Sequence, residues 1–365
     1  MNSAHELGTL IDALRDLRHG SCPAAALTTL VRTHGSTFRR VGTRMLVFDD
    51  GSVVCELSGG CPQRDIVLQA QAVIASGIPR MVSYNSESGL DVLMEMGCGG
   101  ELDVLMEPVA GPHAIDFADT LAQCLLERRH AYMATLFAVN DVIVLPKRLI
   151  WNAGDVRLRN DDIGDAALSD AIVATVGEDI ERPAFTRRLP WSRGTADVLI
   201  ESITPVHSLV AIGSSATAHA LLPLAAALGW QITLVDQDPR RLQASHDLHG
   251  LSTVCASPAT IRDALSLDVH SSVVVMTHNL EQDMAYLAAL SEAPLAYLGA
   301  LGSRERVNRM RENAVLDGLQ LHAPAGLDIG SETPQEIALA VAAEIVAVIN
   351  GRSGSSLRDN QGAIH

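Results

Sequence analysis

The chain has 365 residues, enough for two or three domains that each bury a core. Hydrophobic residues make up 47% and the formal net charge is −16, a composition that folds and stays soluble but offers no general positive surface for a phosphate backbone. Nucleic acid is therefore not an expected partner, whereas an acidic surface is compatible with a basic protein partner.

Residues 5–19 space Leu7, Leu10, Ile11, Leu14 and Leu17 along one helical face, which reads as an amphipathic helix and not as a signal peptide. Residues 24–31 read as a buried strand. A polar loop, Thr33-His34-Gly35-Ser36-Thr37-Phe38-Arg39-Arg40, leads to a strand at 44–48. The turn Asp49-Asp50-Gly51 joins that strand to a third at 52–57, as a hairpin. An Ala-rich helix is expected near 63–76 and a strand at 101–106. Residues 114–130 read as a helix, followed by strands near 132–139 and 141–145. Residues 151–185 are polar and acidic without a motif. The stretch 110–200 is read as a connecting region that completes the sheet of the first domain.

The pattern changes after 207. A strand at 209–212, a Gly213 turn, a helix to Leu228-Gly229 and a strand at 231–235 ending on Asp236 form a βαβ unit, which implies a parallel sheet. Strands near 252–255, 272–276 and 295–298 continue it, with helices near 258–264, 280–290 and 303–314. The last helix, 333–350, has a capping-box start: Thr333, then Pro334 in the first turn, then Glu336. Its stripe of Ile337, Val341, Ile345 and Val348 suits a core or a dimer face. The fold class is α/β: an N-terminal mixed α/β domain (1–110), the connecting region (111–200), a Rossmann-like parallel-sheet domain (201–352) and a disordered tail (353–365). No apolar run reaches the roughly 18 residues of a membrane span.

The six cysteines, Cys22, Cys55, Cys61, Cys98, Cys124 and Cys255, form neither a disulfide framework nor a CxxC zinc pattern, so a reduced cytoplasmic setting is the simplest. Two of them lie in glycine turns: Ser58-Gly59-Gly60-Cys61 and Gly97-Cys98-Gly99-Gly100. Glycine lets a ligand or second backbone approach, and a thiol so presented suits contact with a metal, a sulfur atom or a cofactor. The alternative is a pair of small buried residues in turns.

A dinucleotide fold wants G-x-G-x-x-G after its first strand. Here the turn is Gly213-Ser214-Ser215-Ala216-Thr217-Ala218, with Ser215 replacing the glycine that lets backbone approach a pyrophosphate. The Ser215 hydroxyl offers a phosphate contact at the helix start instead, and Asp236 stands where an acid would hold a ribose hydroxyl. The order of elements supports the fold better than it supports binding of NAD(P), and an NAD(P)-dependent oxidoreductase is kept as the alternative function.

Beyond these patterns, nearly the whole chain resembles the xanthine dehydrogenase accessory-factor family, the XdhC/CoxI proteins. The resemblance lies in the segment from Val31 to Met45, the SGGC turn ending at Cys61, the GCGGE turn at 97–101, Thr277-His278 with Asp283, the run Tyr297-Leu298-Gly299-Ala300-Leu301-Gly302-Ser303-Arg304, and Pro324 to Gly330 with Thr333-Pro334. Two positions depart from it: Gln63 replaces an expected Glu, and Gly213-Ser214-Ser215 replaces a G-x-G. The resemblance implies a dimeric chaperone that binds the molybdenum cofactor (molybdopterin), protects it while a terminal sulfur is installed, and delivers it to a molybdenum hydroxylase of the xanthine dehydrogenase type. A cysteine desulfurase is a further implied partner, and no turnover of its own is implied.

On that reading the cofactor sits near Cys61 and Cys98, whose soft thiolates suit a metal–sulfur centre. The backbone N–H groups of Gly59, Gly60, Gly99 and Gly100 would form anion nests, and Arg39, Arg40 and Arg44 would clamp phosphate. The alternative for the arginines is a solvated charged loop. His278, at a strand end, is either an acid–base group or a strand cap, and Arg304, in the first turn of a helix, either favours an anion or is a surface residue.

Overall fold

A computed structural model describes residues 2–18, 24–35, 37–57, 61–85, 100–110, 112–154, 158–176, 183–243, 248–311 and 320–359. The chain divides into two compact units, Met1–Pro205 and Val206–His365.

The first unit opens with helix α1 (Ala4–Arg18), which buries Leu7, Leu10, Ile11 and Leu14 as their spacing requires. Strands β1 (Ala25–His34), β2 (Arg44–Phe48) and β3 (Val53–Val54) follow, then helix α2 (Cys61–Ser76), β4 (Arg80–Tyr84) and β5 (Glu101–Val109). They form one antiparallel sheet in the order β3-β2-β1-β5-β4. The expected third strand shrinks to two residues, because beyond Val54 the chain turns through Cys55 at φ 65° and leaves the ladder. The first residues of the expected polar loop instead prolong β1 to His34, opposite Glu101.

The connecting region does not extend this sheet. A 3-10 turn (Pro112–Ile115) and helix α3 (Asp116–Leu126) lead into β6 (Ala131–Val139) and β7 (Val142–Asn152). Then come β8 (Leu158–Asp161), helix α4 (Ala166–Val176), β9 (Ala184–Trp191) and β10 (Gly194–Ile203). These strands make a separate antiparallel sheet, β8-β7-β6-β10-β9.

Each sheet buries both faces, so their central strands carry near-continuous apolar runs. Helix α2 covers the outer face of the first sheet through Ile66, Ala70 and Val73, packed on Leu30, Val47 and Val104. Helix α4 covers the outer face of the second through Leu168 and Ile172. The inner faces meet through Val31 and Leu105 against Phe137 and Leu199, and α1 and α3 fill the remaining gap around Leu27 and Met133.

The second unit is a six-stranded parallel sheet, β13-β12-β11-β14-β15-β16. Its elements are β11 (Ser208–Ile212), α5 (Ala216–Ala227), β12 (Gln231–Asp236), α6 (Pro239–Gln243), β13 (Leu251–Cys255), α7 (Ile261–Ala264), β14 (Ser271–Val275), α8 (Leu280–Leu290), β15 (Tyr297–Ala300), α9 (Arg304–Arg311), β16 (Leu321–His322) and α10 (Pro334–Ile349). Helices α5 and α10 bury Leu221, Leu222, Val341 and Ile345 on one face of the sheet. Helices α7, α8 and α9 bury Ile261, Leu287 and Val307 on the other. This is the expected Rossmann-like domain, and the strand order reverses between β11 and β14. The capping box is present: Thr333 accepts from the Glu336 N–H, and the Glu336 carboxylate accepts from the Thr333 N–H. The expected disordered tail includes a 3-10 turn at Leu357–Asp359. Among the described residues no helix is long and apolar enough to cross a membrane.

Candidate functional site

One end of the first sheet collects the sequence motifs. In register across β1, β5 and β4 lie Thr33, Leu102 and Tyr84, with His34 paired to Glu101 one step further out. At strand spacing this row is about 10 Å wide. The polar loop departs from His34, and the GCGGE motif ends at Gly100 and Glu101. Cys61, the last residue of the SGGC motif, is the first residue of α2. The hydroxyl of Tyr84 donates to Asp65 Oδ2 at 2.7 Å, which fixes the start of α2 over the same row. Cys61 is four residues, about 6 Å of helix rise, before Asp65. Burial and the Asp65 carboxylate push the Tyr84 phenol far above its usual range, so it stays a donor. Gly59, Gly60, Cys98, Gly99 and the side chain of Cys61 lie outside the described residues; Gly100 is buried.

The three arginines have separate fates. Arg40 and Phe38 are exposed, Phe38 at 68%. Arg39 donates to both oxygens of Glu6, at 2.7 and 3.3 Å. Burial works against the Glu6 charge, but the Arg39 hydrogen bonds prevail and lower its pKa. Arg44 is not a surface clamp for phosphate. It is 1% exposed, and its terminal nitrogens meet Glu201 Oε1 and Oε2 at 2.6 and 2.5 Å. Burial opposes the charge on Arg44, yet the Glu201 carboxylate more than offsets it. Breaking such a buried pair by removing one partner costs about 3–5 kcal/mol. Glu201 lies 157 residues away in sequence, and no local signal announces it. Arg148 and Glu107 form another buried pair between the two sheets, with the Arg148 guanidinium 4.1 Å over the Phe117 ring. Cys55 bonds through Sγ to the Glu6 carbonyl at 3.5 Å, and burial pushes its thiol up. Among the described residues no group of three His, Cys, Asp or Glu side chains is placed to hold a metal ion.

In the second unit the Rossmann turn uses its polar groups internally. Gly213 takes φ 101°, and a Cβ there would stand 2.7 Å from Thr277 Cα, so the loops after β11 and β14 touch backbone to backbone. Ser215 is 6% exposed and caps α5 by accepting from the Ala218 N–H at 3.1 Å. Asp236, also 6% exposed, accepts from the N–H groups of Ser214 (3.1 Å) and Asp238 (2.9 Å), one on each oxygen of the carboxylate expected to hold a ribose. The cavity beside Gly213, Asp236 and Thr277 is about 10 Å³, room for about one water.

His278 is exposed with φ 64°, a left-handed conformation uncommon outside glycine. Fully buried Asp283 holds this turn: it accepts from the Thr277 N–H and hydroxyl at 3.0 and 2.5 Å and from Arg306 at 2.5 Å, and Arg306 also donates to the His278 carbonyl at 3.2 Å. The T-H-x4-D spacing is thereby explained as a turn and its anchor. Arg304, the first residue of α9, is exposed, and Arg306 of the same helical turn makes the buried contact.

Two family models match the chain, the XdhC and CoxI family over residues 23–85 and the XdhC Rossmann domain over residues 209–345. It is 27% identical over 343 residues to a probable xanthine dehydrogenase subunit of Bacillus subtilis, covering 93% of this chain and 96% of that one. It is 25% identical over 333 residues to the molybdenum cofactor insertion chaperone PaoD of Escherichia coli, covering 89% and 83%. A crystal structure of a xanthine dehydrogenase from Bacillus halodurans has the same fold, with TM-score 0.77, 23% identity and 98% of each chain covered. Together with the Rossmann-like sheet, these matches make the chain a member of the XdhC and CoxI family.

Proposed function

We propose that the protein is a chaperone that binds the molybdenum cofactor, protects it during sulfuration and passes it to a molybdenum hydroxylase of the xanthine dehydrogenase type. The observation that carries this reading is the shared row at the end of the first sheet, from which the polar loop, the SGGC helix start and the GCGGE turn all spring. There the thiols of Cys61 and Cys98 would face the metal–sulfur end of the cargo. The N–H groups of Gly59, Gly60, Gly99 and Gly100, with Arg40, would face its phosphate. Arg39 contributes by holding the loop to α1 through Glu6. The sulfur donor is a cysteine desulfurase and the working form a homodimer.

The chaperone named among the relatives supports the cargo. A nicotinamide oxidoreductase has less support, because Ser215 and Asp236 are nearly buried and bonded inside the turn, beside a cavity of only about 10 Å³. The test is to change Cys61 and Cys98 singly to Ala and measure co-purifying molybdopterin by fluorescence after oxidation. Each variant is expected to lose most of it; wild-type content in both would remove the thiols from the site.

A further inference from the structure

The polar loop is gripped by one carboxylate of the second sheet. Glu201 on β10 is fully buried and takes both terminal nitrogens of Arg44. Arg44 Nη1 also donates to the Gly42 carbonyl at 3.2 Å. Gly42 has φ 85°, and a Cβ on it would stand 2.6 Å from Glu201 Oε1, so only glycine lets the carboxylate lie against the loop. The loop is wound back on itself: the N–H and hydroxyl of Thr43 donate to the Arg40 carbonyl at 3.2 and 2.8 Å, and the Gly42 N–H donates to the Leu30 carbonyl at 2.7 Å. On the far side Asn2 brackets Arg44, donating to its carbonyl and accepting from its N–H.

This grip does more than tie two sheets. Arg148 and Glu107 already join them with the same buried chemistry, on β7 and β5. Glu201 adds a contact to the segment that leaves the sheet edge at His34 and returns past Phe38, Arg39 and Arg40 to β2. We infer that Glu201 is a positioning residue for cargo binding: it sets, through Arg44 and Gly42, the course of the 37–43 loop that leaves the sheet edge at His34. The inference rests on the sheet edge being the cofactor site. Displacement of a binding loop by about 1 Å is enough to cost an order of magnitude or more in the function it supports.

The experiment uses the full chain and molybdenum cofactor released anaerobically from a molybdenum hydroxylase as probe, with affinity read from pterin fluorescence in the protein-bound fraction. Gly42→Ala presses a methyl on Glu201 Oε1 and strains the backbone at φ 85° without removing a charge, and is expected to weaken binding about tenfold in the folded protein. Glu201→Asp withdraws the carboxylate by one methylene. It is expected to weaken binding about threefold alone and, combined with Gly42→Ala, to recover the part of the loss that comes from the methyl–carboxylate contact, the backbone strain at φ 85° remaining. Glu107→Gln, in the other buried pair, is expected to lower the unfolding temperature and leave affinity unchanged. Wild-type affinity in folded Gly42→Ala or Glu201→Asp overturns the inference, as does an equal loss in Glu107→Gln. Failure of the wild-type chain to bind the cofactor overturns the site itself, a distinct result.

Discussion

Two of the resembling segments in the Rossmann-like unit meet on one carboxylate, and its removal has a calculable cost. Glu344 of α10 accepts from the Tyr297 hydroxyl at 2.5 Å and from the Gly326 N–H at 2.8 Å, and lies 3.7 Å from His322 Nδ1. His322 stacks on Tyr297 with ring centres 4.4 Å apart. Tyr297 is 2% exposed, and burial with the Glu344 carboxylate drives its phenol far above the usual range. Glu344→Ala orphans the hydroxyl and the N–H, at about 1–2 kcal/mol each, so about 2–4 kcal/mol in all. Tyr297→Phe removes only the donor and leaves Glu344 with Gly326, for about 1 kcal/mol. The double variant has no orphaned hydroxyl, so its cost falls short of the sum by about 1 kcal/mol. Scanning calorimetry reads this as a fall of roughly 5–15 °C in the transition of the second unit for Glu344→Ala. A fall under about 2 °C, or strict additivity in the double variant, would refute the assignment of Glu344 as the joint of these segments.

Two further outcomes follow from other contacts. Gly213→Ala sets a Cβ at φ 101° against backbone atoms of Met276 and Thr277 at 2.7–2.9 Å, which cannot swing away; a loss of about 3 kcal/mol or more is expected in calorimetry, and tolerance within about 1 kcal/mol would show that the two loops separate easily. Glu127 is held at about 2, against an ordinary 4.5, mainly by the Arg159 hydrogen bond and then by Gln123. Its stabilising effect is therefore complete above pH 4.5 and fades as the pH falls toward about 2. The unfolding temperatures of wild type and Glu127→Gln should converge across that window, and parallel curves would count against the pairing.

What the sequence made legible was local. The period of Leu7, Leu10, Ile11 and Leu14 predicts α1, and the Thr333-Pro334-Glu336 start predicts α10, because each signal sits within one or two helical turns. The βαβ order predicts the parallel sheet for the same reason. Of the second sheet only β6 and the start of β7 were legible. Strand β9 carries Arg187, Arg188 and Pro190 at a sheet edge, where its alternation is only half apolar and reads as loop. Strand β4 is five residues long with mixed burial. At the candidate site, an Arg-rich loop looks the same whether its arginines face solvent or a carboxylate 157 residues away, so Arg44 reads as a phosphate clamp until Glu201 is seen against it. Ser215 and Asp236 likewise read as ligand groups because their capping and turn partners are backbone N–H groups, which sequence identity does not display.

The claim on which the proposed function stands is that Cys61 and Cys98 come together at the end of the first sheet to hold the cofactor's metal–sulfur end. Mild oxidation or a short bifunctional thiol reagent, followed by peptide mapping, measures this directly, since a disulfide forms only when the two Cα atoms come within about 7 Å. A Cys61–Cys98 cross-link that forms in the free protein and is blocked by bound molybdopterin is the expected result. Cross-links that never join these two residues, with or without the cofactor, would contradict it.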